Sequence, residues 1–408
     1  MRKVKLGSLF ADRVTSIDPR SFPDETFELW SIPASDVGKP EIELGSSIGS
    51  TKKCVKPNDV MLSKIVPHIR RAVVVTKNRQ TRQIASSEWI IFRSPEFWPA
   101  YLRHLLVSDS FHKQFMNTTA GVGGSLVRAR PNAVAKIEIS LPSLDEQRGI
   151  AAILDQADDL RRKRRLALER LDALREARYR SLATEPGADI WPRLTVNEIA
   201  ETIRTGPFGS QLLHSEFVDD GIAVLGIDNT VNNEFSWSQR RYISEGKYRE
   251  LVRYTVRPGD VLITIMGTCG RCAIVPNNIP RAINTKHLCC IRLDPLKCLP
   301  EFLHAAFIYD LDLLAQLGVR ERGAVMPGLN MQLIKETSFR VPPIDVQTRL
   351  TTELKQIKAL ELIQRQQLDQ LNALFASLQH KAFAGELVSP IATETLASMK
   401  QKTTALAV

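Results

Sequence analysis

The second half of this 408-residue chain repeats the first at an offset of about 200 positions, and a duplicated order of motifs limits the folds open to it. Leu141-Pro-Ser-Leu-Asp-Glu-Gln-Arg148 returns as Val341-Pro-Pro-Ile-Asp-Val-Gln-Thr348. Pro57-Asn-Asp-Val-Met-Leu62 returns as Pro258-Gly-Asp-Val-Leu-Ile263, each reading as a tight turn that feeds an apolar strand. Leu6-Gly-Ser-Leu-Phe10 resembles Val196-Asn-Glu-Ile-Ala200 at a slightly shorter offset. Glycine-rich turns, Gly121 to Ser125 and Gly323 to Gly328, precede the two proline signatures.

After each proline signature the apolar spacing becomes helical. Ile150, Ile153, Leu154, Ala157, Leu160, Leu168, Leu171 and Leu174 fall at steps of three and four, and Pro186-Gly187 ends the run. Leu350, Leu354, Ile357, Leu360, Ile363, Leu371, Leu374 and Leu378 repeat the pattern, with Gly385 as the stop. A helix of about 35 residues is about 50 Å long, and its apolar stripe must pack on something. The counterpart helix is the obvious partner, as a coiled-coil-like pair.

The expected class is therefore α+β with a pseudo-two-fold internal repeat. Two mixed α/β domains, 1–142 and 185–342, alternate with long helices at 143–184 and 343–388, and an Ala- and Thr-rich tail, 389–408, is expected to be disordered. Strands are expected at Arg71–Val75, Trp89–Phe92, Val261–Thr264 and Ala273–Val275, and helices over Pro99–Phe115 and Pro300–Leu317.

No apolar run reaches the length of a membrane span, and Met1-Arg-Lys-Val-Lys-Leu-Gly-Ser8 lacks the apolar stretch of a signal peptide, so a cytoplasmic protein with no membrane partner is expected. Six cysteines are too few for a disulfide scaffold. Cys269, Cys272, Cys289 and Cys290 have a spacing that zinc sites use, but Cys272 and the Cys289-Cys290 pair head apolar runs and read as buried strand residues; no metal is expected.

The net charge of +10 points to a polyanionic partner. Residues 1–142 hold 21 basic and 13 acidic side chains, and residues 184–342 hold 17 and 18, so the surplus sits in the first half. If each mixed domain faces DNA, two different readers joined by long helices predict a split, non-palindromic target around an unread gap. About 50 Å corresponds to about 15 base pairs, against about 34 Å between the half-sites of dimeric readers.

Phosphate anchors and base readers are sought at turns beside strands. Lys64, Arg70, Arg71, Arg128 and Arg130 are the candidates in the first domain, and Arg271, Arg281, Lys286, Arg320 and Arg322 in the second. Asn284, Thr285 and His287 flank Lys286 and have the donor and acceptor groups that base edges require. The run Arg161-Arg-Lys-Arg-Arg165 is either a solvated face balanced by Asp155, Asp158 and Asp159, or a phosphate track or docking surface. There is no Gly-rich phosphate loop, no Asn/Asp-Pro-Pro-Tyr/Phe motif of an amino-methyltransferase and no histidine pair at metal-ligand spacing, so no catalytic residues are expected.

Leu141 through Asp158, continuing into the basic run, closely resembles the central helical region of specificity subunits of type I restriction–modification systems. Leu378-Gln-His-Lys-Ala-Phe-Ala-Gly-Glu-Leu387 looks like the end of that family's second helical region, and Pro258 to Thr264 resembles a turn-and-strand element of its target-recognition domains. Val346, where the first copy has Glu146, is a departure. The resemblance implies a DNA-recognition subunit with two target-recognition domains and antiparallel helices. It implies docking to two adenine-N6 methyltransferase (modification) subunits and, through them, ATP-driven restriction subunits. Glu146, Gln147, Arg161, Arg162, Arg164 and Arg165 would then face partners, while S-adenosylmethionine, ATP and magnesium would belong to those partners. The competing readings are a catalytic methyltransferase or nuclease component and a non-catalytic coiled-coil adaptor.

Overall fold

The computed structural model describes residues 2–77, 81–121, 127–237, 240–318 and 329–387. Arg320, Arg322, the turn 323–328, most of the turn 121–125 and the tail 389–408 lie outside them. Strands and helices mix throughout, as an α+β chain requires. Two compact units account for it: residues 1–165 with 366–408, and residues 166–365.

In the first unit, a five-stranded sheet has the order Ser16–Ile17, Lys52–Cys54, Arg82–Ala85, Thr26–Trp30, Glu41–Leu44, and its Thr26–Trp30 strand lies parallel to Arg82–Ala85. A three-stranded antiparallel sheet places Val60–Ser63 between Ala72–Val74 and Trp89–Phe92. The Pro57 turn works because Asn58 takes φ 71°, a left-handed conformation that asparagine tolerates. Its N–H donates to Val75 O at 2.9 Å. Asp59 then accepts from Lys56 N at 2.8 Å and receives both arms of Arg93 at 2.7 and 2.6 Å.

The second unit has a five-stranded sheet in the order Phe217–Val218, Tyr242–Ile243, Ile222–Leu225, Ala282–Asn284, Thr255–Val256, with Ile222–Leu225 parallel to Ala282–Asn284. A four-stranded sheet runs Ala200–Thr205, Leu288–Leu293, Val261–Thr264, Cys272–Ile274. Here Gly259 takes the turn position at φ 82° and donates to Val275 O at 2.9 Å. Asp260 accepts from Arg257 N at 2.8 Å and from both arms of Arg292 at 2.9 and 2.8 Å.

The four expected strands all form, at Ala72–Val74, Trp89–Phe92, Val261–Thr264 and Cys272–Ile274. Cys272, Cys289 and Cys290 are buried strand residues, and burial pushes the Cys289 thiol up to about 12. Among the described residues no three His, Cys, Asp or Glu side chains are grouped to hold a metal. The two medium helices depart from expectation: each is broken in two, at Pro99–Leu106 with Asp109–Met116 and at Pro300–Tyr309 with Leu311–Gln316. A capping side chain makes each break. Ser108 Oγ accepts from Phe111 N at 3.3 Å, and Asp310 Oδ1 from Leu313 N at 2.9 Å, which starts a second helix instead of extending the first.

The long helices run Leu144–Arg180 and Ile344–Ala384. In the first unit Ile150, Ala151 and Leu154 are buried in one core with Ala382, and Arg161 Nε donates to Asn372 Oδ1 at 2.8 Å. In the second unit Arg175 pairs with Glu361 at 3.2 Å and Arg178 with Glu353. The predicted stripe is only partly buried. Leu160 and Leu374 in the first unit, and Leu174, Leu360 and Ile363 in the second, stay exposed, because one neighbouring helix covers only one side of so wide a stripe. No helix of the described residues is long and apolar enough to cross a membrane.

Candidate nucleic-acid interface

Strand register brings selected loops together in each unit. In the first, Ser63 pairs with Trp89 and Trp30 with Ala85, so the turn 64–71 and the link 86–88 leave one sheet edge. Lys64 N donates to Glu88 O and Ser86 N to Trp30 O, fixing both. Glu88 then gathers two predicted cations: Arg128 Nε lies 3.3 Å and Lys64 Nζ 3.9 Å from its Oε2. Arg70 pairs with Asp109. Arg71 grips Asp36 with two bonds, at 2.6 and 2.8 Å, and those hydrogen bonds hold that carboxyl below the usual range. Arg130 Nε donates to Thr118 O at 3.3 Å.

In the second unit Thr205 pairs with Cys289, Thr264 with Leu288 and Ile263 with Cys272, while Leu225 lies beside Asn284. The segments 206–213, 226–237, 265–271 and 285–287, with Arg240 and Arg241, therefore leave the same edge. Gly206 lies so close that a Cβ there would sit 2.0 Å from Asn284 O and 2.4 Å from Thr285 C, so only glycine fits. Arg271 closes its turn on Thr264: its carbonyl accepts from Thr264 N at 2.9 Å and its N–H donates to Thr264 Oγ1 at 2.8 Å. Lys286 and His287 are half-buried on this edge. Burial first, then the charges of Lys286 and Arg241, lower the proton affinity of His287.

Arg281 does not join them. It precedes the strand that ends at Asn284 and donates to Glu245 Oε1 at 2.9 Å. Asn284 and Thr285 do not present themselves to a base edge: both are buried, and Asn284 Nδ2 is committed to Leu288 O at 2.9 Å. The sequence placed them beside Lys286, but the close approach of Gly206 and the bond from Asn284 Nδ2 to Leu288 O keep them inside.

Gln147 also departs from expectation. Instead of facing a partner it is buried, its Oε1 accepting from Trp98 N at 2.7 Å and its Nε2 donating to Glu96 O at 3.2 Å and Pro142 O at 3.0 Å. Gln347 makes the same set, accepting from Leu299 N at 2.8 Å and donating to Lys297 O at 2.9 Å and Pro342 O at 2.8 Å. Each glutamine fastens the start of a long helix to the residues leading into Pro99 or Pro300. Glu146 is exposed but caps its own helix, accepting from Ser143 N at 2.9 Å and Ser143 Oγ at 2.8 Å.

The basic run divides. Arg161 is half-buried over the Phe375 ring at 4.3 Å and pairs with Asp158 at 3.0 Å. Arg162 and Lys163 pair with Asp159, the latter at 2.8 Å. Arg164 is half-buried and Arg165 exposed on the same helix. Sequence reading missed the exposed apolar Phe208, Ile227 and Met266 on the second unit's edge. It also missed the Asp59–Arg93 and Asp260–Arg292 pairs, whose signal was the near-constant offset between Phe92-Arg93 and Ile291-Arg292.

Residues 195–373 match the family model described as the type I restriction modification DNA specificity domain. Over 209 residues the chain is 27% identical to the type I restriction enzyme EcoBI specificity subunit of Escherichia coli, a stretch covering 49% of this chain and 42% of that relative. The fold resembles a chain from a structure on complex assembly and conformational transition of the type I R-M system, with TM-score 0.58 and 22% identity over 95% of this chain and 98% of that one. It also resembles the type I restriction–modification S subunit of M. genitalium, with TM-score 0.55 and 15% identity over 94% and 96%. The motif pairs and the shared fold agree with the family model, and residues 195–373 carry a type I restriction modification DNA specificity domain.

Proposed function

We propose that the chain reads a bipartite, asymmetric target in double-stranded DNA and has no catalytic role of its own. The observation that carries this is the doubled frame. Asp59 with Arg93 and Gln147 in one unit, and Asp260 with Arg292 and Gln347 in the other, make the same bonds at equivalent places in the strand order. That equivalence supports a pseudo-two-fold repeat, with residues 1–142 and 185–342 as two target-recognition domains. The rims differ: Lys64, Arg70, Arg71, Arg128 and Arg130 on one, and Arg271, Lys286 and His287 on the other, with Arg281 as an outlying phosphate contact. Two readers with unlike rims call for two unlike sequence blocks.

The long helices act as an antiparallel, coiled-coil-like spacer and as the docking surface for two modification subunits, which in turn bring restriction subunits. The leucines left exposed on the helices, with Arg162 and Arg165, support that role. S-adenosylmethionine, ATP and magnesium act on those partners. The test is sequencing-based mapping of adenine methylation in cells that express the chain with its modification subunits. Exchanging residues 185–342 for those of another specificity subunit changes one block and leaves the other; a change in both blocks refutes the modular reading. Methylation or cleavage of DNA by the purified chain alone refutes the non-catalytic one.

A further inference from the structure

On the edge of the second unit where segments 206–213, 226–237, 265–271 and 285–287 meet, three large apolar side chains are exposed among cations. Phe208 is 50% exposed, Ile227 40% and Met266 40%. They belong to different segments, and these segments touch. Gly206, two residues before Phe208, lies against the Asn284–Thr285 backbone, and a Cβ on Gly267, next to Met266, would lie 3.3 Å from Ile227 Cδ1. The same segments carry Arg241, Arg271, Lys286 and His287, offset by Asp228, which Arg241 pairs at 2.6 Å; His287 O accepts from Ile265 N, next to Met266, at 2.9 Å. Covering Phe, Ile and Met gains about 25 cal/mol per Å² of apolar surface removed from water, so a partner that covers three such residues from separate turns is favoured.

We propose that Phe208, Ile227 and Met266 form an apolar wedge that enters a groove of duplex DNA and partly unstacks one base step of the block read by the second unit. The occupant is duplex DNA because the surround is cationic, and a polyanion with an apolar stacked interior satisfies both halves of the surface. Apolar side chains pressed between base steps are a known means of deforming a duplex so that further contacts form. The inference rests on the proposed DNA reading and adds which residues deform the DNA and where.

The test uses the chain assembled with its modification subunits and a duplex bearing the site mapped by methylation, with 2-aminopurine placed in turn at each step of the second unit's block. The Phe208→Ala/Ile227→Ala/Met266→Ala variant is expected to lose at least tenfold in affinity for that duplex and to lose the 2-aminopurine fluorescence rise. The slope of log affinity against log salt should stay unchanged, since no phosphate contact is removed. Lys286→Ala should instead lower that slope by about one. A triple variant that assembles normally yet keeps wild-type affinity and fluorescence overturns the wedge alone. One that fails to assemble with the modification subunits reassigns the edge to protein and also overturns it. An assembled wild-type complex that binds no duplex sinks the specificity reading itself.

Discussion

Gln347 allows a demanding test of the frame. It is 0% exposed and makes one accepting and two donating bonds, to Leu299 N, Lys297 O and Pro342 O. No side chain of Leu299 caps the helix that begins at Pro300, so the Gln347 amide is what holds that entry. Each buried bond contributes about 1 kcal/mol net, and an orphaned buried N–H costs about 1–3 kcal/mol. Gln347→Ala should therefore destabilise the second unit by about 3–4 kcal/mol. Gln347→Met keeps the volume, removes the bonds and should lose about 3 kcal/mol. With a urea slope of about 3 kcal/mol/M, the midpoint of that unit's unfolding falls by about 1 M, followed by fluorescence and far-UV circular dichroism. Gln147→Ala should lower the first unit's transition by a similar amount. If both variants at Gln347 lose less than about 1 kcal/mol while assembly with modification subunits fails, the glutamine serves partner contact and the clamp assignment is wrong.

Replacing Asp260 by Asn should cost about 3 kcal/mol, because Arg292 then loses the carboxylate of a buried pair; urea melts measure it, and an unchanged midpoint refutes the pairing. Burial lowers the proton affinity of His104 and His304, and His304 Nε2 donates to Asn233 O and Cys272 O. Their folded-state values lie below the ordinary one of about 6.5, so the unfolded chain binds the extra protons. Stability should therefore fall as pH drops from about 6.5 towards 5, before carboxylates titrate, and His304→Gln should flatten that slope in pH-dependent urea melts. Gly206→Ala forces a Cβ into the Asn284–Thr285 backbone, so it should weaken binding to the second unit's block at least tenfold while the first block's methylation motif is kept. Unaltered binding would mean that the 285–287 link does not touch DNA.

The order of motifs made the frame legible. The Pro57 and Pro258 turns, the strands beginning near Val60 and Val261, and the long helices all rest on local signals: left-handed turn residues, short apolar runs and a helical period. Local capping was harder to read, and Ser108 and Asp310 each divided a helix that periodicity alone would extend. The candidate interface residues were the least legible. Neighbours in sequence, such as Asn284 and Lys286, were expected to work together, but Asn284 ends a buried strand against Gly206 while Lys286 lies in the link beyond it, on the rim.

From its residue order this chain determined that two stretches of strands and short helices would each be followed by a long amphipathic helix, since those properties depend on contacts within a few residues. Only the tertiary structure decided that Gln147 and Gln347 turn inward as clamps, that Arg71 is taken up by Asp36, and that Phe208, Ile227 and Met266 share one edge. Those outcomes depend on which backbone groups need a partner once distant strands have paired, and sequence spacing carries no record of that need.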